Sequence, residues 1–162
     1  MKRAAPFIVV LVVLILAASA FGQGEQQFAK LGDFTLESGK VIKDCTLGYR
    51  TFGKLDAKKS NAVLVPTWFT GRSADLAGLI GPGKLFDDSA YCLILTDAIG
   101  NGVSTSPSNS ASQPGNEFPE FTIADMVRAQ HMFLTKNLGI AHLRAVTGIS
   151  MGGMQTFQWM TL

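Results

Sequence analysis

The chain has 162 residues, 47% of them hydrophobic and 16% charged, enough for one modest domain around one core. Lys and Arg total 14 against 12 Asp and Glu, a net charge of +2, which gives no reason to expect nucleic acid or an anionic membrane surface as a partner. Two cysteines and two histidines, with no C-x-x-C or H-E-x-x-H spacing, exclude a motif-encoded metal site.

At the N-terminus Lys2 and Arg3 precede an unbroken apolar run from Phe7 to Ala18, and Ala18-Ser19-Ala20 supplies a small-x-small pattern. A charged segment, an apolar core and a cleavage site together predict a secretory signal peptide over 1–20, hence export to the periplasm or the extracellular space. The alternative is an uncleaved membrane anchor, for which the run falls short of the roughly 20 residues of a spanning helix. Without Lys2 and Arg3 the balance is 12 basic against 12 acidic residues.

Residues 21–31 are largely polar and are expected to form a short tail, with the domain proper over 32–162. Phe34-Thr35-Leu36-Glu37 followed by Ser38-Gly39 reads as a strand and a turn, and Cys45 to Phe52 alternates as a half-buried strand. Lys54 to Asn61 is a charged loop. Ala62-Val63-Leu64-Val65 and Tyr91 to Thr96 are continuous apolar runs of the kind found in strands covered on both faces. Cys45 and Cys92 fall in such stretches. Export would permit a disulfide between them, and burial would leave two inert thiols.

Gly, Ser, Asn and Pro dominate from Ile99 to Pro119. A structureless loop of about twenty residues within a compact domain is more often functional than incidental. Thr122-Ile123-Ala124-Asp125 then forms a capping box. The helix behind it is expected to run to about Leu138, with Gly139 ending it. Ala145-Val146-Thr147 is the next strand. Buried strands alternating with helices predict an α/β fold with a mostly parallel sheet covered by helices.

Gly148-Ile149-Ser150-Met151-Gly152-Gly153 follows that strand directly. G-x-S-x-G between a strand and a helix is the pattern of a nucleophile elbow, with glycines where a larger residue would clash. The amide of Met151, at the helix N-terminus, then serves as one donor of an oxyanion hole. The second is expected from the loop after Ala62–Val65, where Pro66-Thr67-Trp68-Phe69-Thr70-Gly71 stands, and Phe69 N–H is the candidate. A serine hydroxyl needs a base to become nucleophilic. In this architecture the acid and histidine follow the serine in chain order, yet only Met151 to Leu162 follow it here, inside the helix that Ser150 opens. His131 and His142 both precede the nucleophile and read as surface or helix-end histidines. Asp97, at the end of its strand, either shapes the pocket or caps a turn. Asp125 reads as the helix cap.

From about Gly32 onward the chain resembles the homoserine O-acetyltransferase-like branch of the α/β-hydrolase superfamily. The matching stretches are Leu47 to Gly53 (LGYRTFG), Asp97 to Pro107 (DAIGNGVSTSP), Phe118 to Gln130 (FPEFTIADMVRAQ) and Gly148 to Trp159 (GISMGGMQTFQW). The resemblance implies a Ser-Asp-His triad with Ser150 as nucleophile, a ping-pong acyl-enzyme, and a full-length protein about twice this size with a helical lid. Acyl-CoA is the donor in the acetyltransferases. Here Thr67-Trp68-Phe69-Thr70-Gly71 replaces their His-Ala-Leu-Thr-Gly type loop, and export removes the protein from acetyl-CoA.

The expectation is therefore the N-terminal half of an α/β-hydrolase fold, cut after the elbow. It belongs to an esterase or O-acyltransferase that takes a small-molecule ester or acyl donor, without cofactor, metal or nucleic acid, and with a homodimer as an allowed assembly. Alone, lacking the triad Asp and His, the chain is expected to be inactive. The alternative is a noncatalytic truncated product or binding module that keeps half of the hydrolase sheet.

Overall fold

The computed structural model describes residues 24–161. The apolar run and the cleavage pattern over 1–20 lie outside them. Two strands begin the fold, β1 (Gln27–Thr35) and β2 (Val41–Phe52), paired antiparallel from Gln27↔Tyr49 to Thr35↔Val41. The pairing slips twice around Gly32, opposite Cys45, where Asp44 takes a positive φ of 48°. The Asp33 carboxylate holds this bulge by accepting from the Asp44 amide at 3.2 Å and from Lys43 Nζ at 2.5 Å. The expected tail over 21–31 is thus corrected. From Gln27 onward its residues pair in β1, because the backbone ladder to β2 needs little apolar side chain on an edge strand.

The two continuous apolar runs are β3 (Ala62–Pro66) and β4 (Cys92–Thr96), buried at every position and parallel to each other. Parallel strands need covering on both faces. Between them lie a one-turn helix α1 (Ser73–Leu76) and a 3₁₀ turn (Ala77–Leu79), neither evident from the sequence. Successive side chains of β3 and β4 point to opposite faces. Leu64 and Ile94 enter the larger core cluster, with Tyr49, Ala129 and Phe133. Val63, Val65, Leu93 and Leu95 pack on the other side with Leu76 and Ile80.

Helix α2 (Ile123–Met132) opens on the expected capping box. Thr122 Oγ1 accepts from the Asp125 amide at 3.2 Å, and Asp125 Oδ2 accepts from the Thr122 amide at 3.0 Å. Asp125 Oδ1 also accepts from the Glu37 amide at 2.8 Å, tying the helix start to the turn after β1. The helix continues as a wider π-type turn over Phe133–Asn137 and stops at Gly139, where φ is 62°. A two-residue strand, β5 (Ala145–Val146), pairs parallel with β3, and α3 (Met151–Trp159) follows. Met160 caps α3, so the helix ends at Trp159 rather than running to the last residue.

The strands form one sheet of order β1-β2-β4-β3-β5. Its β4-β3-β5 portion is parallel as expected, and the N-terminal hairpin adds to it antiparallel through β2 and β4. The long polar loop after β4 is folded by its own side chains. Ser104 Oγ accepts from the Gly48 amide and donates to the Asp97 carbonyl, at 2.9 and 2.7 Å. Thr105 exchanges two hydrogen bonds with Thr46 of β2, at 2.8 and 2.9 Å. Among the described residues no helix is long and apolar enough to cross a membrane.

Candidate active site

Strand β5 delivers the chain to a sharp turn at Ser150, whose φ of 55° and ψ of −121° place a side-chain-bearing residue where glycine is normally required. Such strain, of order 1–3 kcal/mol, persists only where the surroundings enforce it. Here close packing enforces it. A Cβ on Gly148 would lie 2.4 Å from the Gly152 carbonyl carbon, and one on Gly152 would lie 2.3 Å from the Pro66 carbonyl oxygen. The glycines thus let the elbow fold onto itself and onto the end of β3. Ser150 is exposed and its side chain does not cap α3.

The segment after β3 is held as firmly. Thr67 is fully buried, donates its amide to the Thr96 carbonyl at 3.1 Å and accepts from the Ala98 amide on Oγ1 at 3.0 Å. The next residues turn tightly, with the Gly71 amide on the Trp68 carbonyl at 3.0 Å and Thr70 at a φ of 64°. Phe69 stands out at 73% exposure. Phe69 and Met151 line one cavity of about 250 Å³, together with Thr70, Asn101, Phe121 and Met126. Neither Phe69 N–H nor Met151 N–H donates to an acceptor among the described residues. A helix N-terminus leaves its first amides without intrahelical partners, so Met151 N–H keeps its capacity for an anionic oxygen.

Asp97 is completely buried behind this cavity. Its Oδ1 accepts from the Ser73 amide at 2.7 Å and Asn101 Nδ2 at 3.2 Å. Its Oδ2 accepts from Ser73 Oγ at 2.8 Å and Gln26 Nε2 at 3.0 Å. The carboxylate therefore clamps the start of α1, the N-terminal segment and the loop after β4, and Asn101 passes the restraint on through a 3.0 Å bond to the Gly71 carbonyl. Asp97 is not among the residues lining this cavity; its carboxylate joins three segments instead of capping a single turn.

Sequence reasoning did not single out Gln130 or Gln155, two fully buried amides joining α2 to α3. Their signal was faint. Each sits among apolar residues on a helix, and only the packing of the two helices shows that they meet.

His131 and His142 are exposed and line a different cavity, of about 390 Å³, with Leu134, Ile140 and Trp159. Neither reaches the cavity of Phe69 and Met151. Cys45 and Cys92 are buried free thiols, and burial pushes them up to about 12 and about 11 respectively. Among the described residues no three His, Cys, Asp or Glu side chains cluster as metal ligands would.

A strained serine between a parallel strand and a helix, flanked by sterically required glycines, is the geometry of one superfamily. Residues 63–161 match the α/β hydrolase fold family. The chain belongs to that family. Among α/β hydrolases it is similar to the ethyl acetate hydrolase of Pseudomonas veronii, 43% identical over 138 residues, covering 84% of this chain and 40% of that protein. It is also similar to the homoserine O-acetyltransferase of Geotalea daltonii, 41% identical over 148 residues and covering 80% and 40%. The solved acetylester hydrolase from Corynebacterium glutamicum superposes with a TM-score of 0.81 at 42% identity, covering 84% of this chain and 40% of that one. The chain thus spans about 40% of the length of these relatives, in keeping with the N-terminal half of an α/β-hydrolase domain.

Proposed function

We propose that this chain is the nucleophile-bearing part of a serine esterase or O-acyltransferase acting on small-molecule esters through an acyl-enzyme. The observation that carries the proposal is the strained Ser150 next to Met151, whose free amide and that of Phe69 belong to residues lining one cavity. In this reading Ser150 Oγ attacks the ester carbonyl carbon and its proton passes to a base. The carbonyl electrons move onto oxygen, and the Met151 and Phe69 N–H groups donate hydrogen bonds to that oxyanion. Collapse re-forms the carbonyl and breaks the bond to the alkoxy oxygen, which takes the proton back from that base and leaves as the alcohol, with the acyl group on Ser150. Water or a small alcohol then repeats the sequence from the other side.

The base and its acid partner belong, in this proposal, to chain beyond Leu162, and the present chain alone is inactive. Two observations favour this. Both histidines line the other cavity. Helix α3 and its cap also expose Met154 at 61%, Phe157 at 70% and Met160 at 70%, an apolar face suited to further packing. In the same proposal residues 1–20 are an export signal, which would favour water over a cytoplasmic thioester, and the two hydrolase relatives named above also support a hydrolytic reading.

The test uses the product of the complete gene. A fluorophosphonate probe should label Ser150 in the intact protein and fail on Ser150→Ala. p-Nitrophenyl acetate should be hydrolysed without homoserine, and acetyl transfer from acetyl-CoA to homoserine should be at least tenfold slower. Labelling that survives Ser150→Ala refutes the nucleophile, and efficient homoserine acetylation refutes the hydrolytic assignment. An N-terminus at Phe21 in the exported fraction checks the signal peptide.

A further inference from the structure

We infer that Gln155 is a positioning residue whose side-chain amide holds the two backbone arms of the oxyanion hole in register, an inference that rests on Ser150 being the nucleophile. Gln155 is fully buried. Its Nε2 donates to the Thr67 carbonyl at 3.1 Å and to the Met151 carbonyl at 3.4 Å. Met151 is itself one donor residue, and Thr67 lies two residues before the other, Phe69. A single side chain therefore bridges segments 88 residues apart in sequence, at the place where their separation sets the hole's width.

The orientation of this amide is determined by its neighbours. Trp159 Nε1 can only donate, and it donates to Gln130 Oε1 at 2.9 Å. That leaves Gln130 Nε2 to donate, which it does to Gln155 Oε1 at 2.5 Å. Gln155 must then present its NH₂ group to the two carbonyls. The relay from an indole through two amides excludes the flipped rotamer, in which Gln155 would aim an oxygen at Thr67 O. Buried polar chains of this kind specify one geometry only when every member is satisfied.

The surroundings make the tether effective. Gly152 lets α3 rest against Pro66 with no Cβ between them. On the far side of Thr67, the Trp68–Gly71 turn is closed by its own backbone bond and by Asn101. A displacement of Thr67 relative to Met151 is thus transmitted to Phe69 as a rigid shift. Misplacement by about 1 Å at a reacting centre is enough to cost 10²-fold in rate.

The experiment compares Gln155→Leu and Trp159→Phe in the complete protein. The first removes the tether at similar volume. The second keeps the ring and removes only the donor that orients the relay. Gln155→Leu should lower kcat on p-nitrophenyl acetate by about 10²-fold with KM within threefold, and should weaken a trifluoromethyl ketone inhibitor in proportion to kcat/KM. Trp159→Phe should lower kcat by about tenfold at unchanged KM. Hydrogen exchange of the peptide spanning 66–72 should accelerate in both, with the β1–β2 hairpin, which the relay does not touch, unaffected. Loss of KM rather than kcat, or inhibitor affinity that holds while kcat falls, overturns the inference. So does unchanged exchange over 66–72, which judges the tether without any activity. A wild-type protein that resists the fluorophosphonate probe instead overturns the reading of Ser150.

Discussion

Replacing Gly152 with alanine would put a methyl group 2.3 Å from the Pro66 carbonyl oxygen and 3.4 Å from that of Thr67. The nearer oxygen is backbone of a buried central strand and has no soft rotamer to turn away. Restoring ordinary contact, near 3.4 Å, requires α3 and β3 to part by about 1 Å. Overpacking of this kind costs about 1–3 kcal/mol, partly offset by the roughly 1 kcal/mol that alanine gains over glycine inside a helix. The net loss of stability should therefore be small, about 1 kcal/mol. The catalytic loss should not be. The same 1 Å opens the gap between the Met151 and Phe69 amides, stretches the Gln155 bond beyond hydrogen-bonding reach, and should lower kcat by about 10²-fold. Esterase turnover and urea unfolding of the complete protein measure the two effects separately. Two further glycines set the scale. A Cβ on Gly153 would meet the Gly148 carbonyl oxygen at 3.3 Å, and one on Gly78 would meet nothing within 4 Å. Gly153→Ala should lose a few-fold in rate, and Gly78→Ala should match wild type. A Gly152→Ala enzyme within threefold of wild type, or one that outperforms Gly153→Ala, would refute the steric argument.

Ser150→Gly and Ser150→Ala both remove the hydroxyl, but only alanine retains a Cβ at φ of 55°; the glycine variant should be more stable to urea by about 1 kcal/mol. Removing the Asp97 carboxylate in Asp97→Ala deletes four hydrogen bonds and leaves the buried Ser73 amide without an acceptor, so unfolding free energy should fall by about 3 kcal/mol, and a loss below 1 kcal/mol would show that the anchor is dispensable. Cys45 and Cys92 should resist iodoacetamide at pH 8 and react fully in denaturant, because both thiols are buried and held protonated well above their ordinary value of 9.0. Raised folded values also mean that the unfolded thiols lose protons first, so their contribution to stability is intact below pH 9 and declines as the pH climbs past it; rising stability between pH 9 and 11 would contradict the burial.

The parts of the fold that were legible in the sequence are those where one local rule dominates. Ala62 to Val65 and Cys92 to Thr96 are apolar at almost every position, the run length of a strand covered on both faces. Thr122 and Asp125 satisfy each other's amides across one turn, so the start of α2 could be read to the residue. Gly148 and Gly152 declare the elbow around Ser150 because a Cβ on either would lie under 3 Å from backbone. What escaped reading depends on partners distant in sequence. Gln27 to Lys30 looks like a polar tail because its ladder to Thr46–Tyr49 is backbone, and a bulge at Gly32 interrupts its alternation. The loop from Ile99 to Pro119 looked structureless because its order comes from Asn101, Ser104, Thr105 and Asn109 bonding to backbone rather than from apolar packing. Gln130 and Gln155 escaped for a related reason. A glutamine on a helix carries no mark of burial until its partner is known.

Strand β5 is only two residues long and meets β3 through Val63↔Ala145 and Leu64↔Val146, flanked by the bonds from Arg144 N to Ala62 O and from Thr147 N to Leu64 O. Those few pairings close a loop of about eighty residues, and closure entropy must be met before they return anything. The geometry around Ser150 is accordingly expected to form late in folding. It cannot form from any local stretch, because its two arms come from opposite ends of that loop. A nascent chain therefore cannot bring Phe69 and Met151 to one cavity until β3, β4 and β5 have joined the sheet and α2 has packed against it.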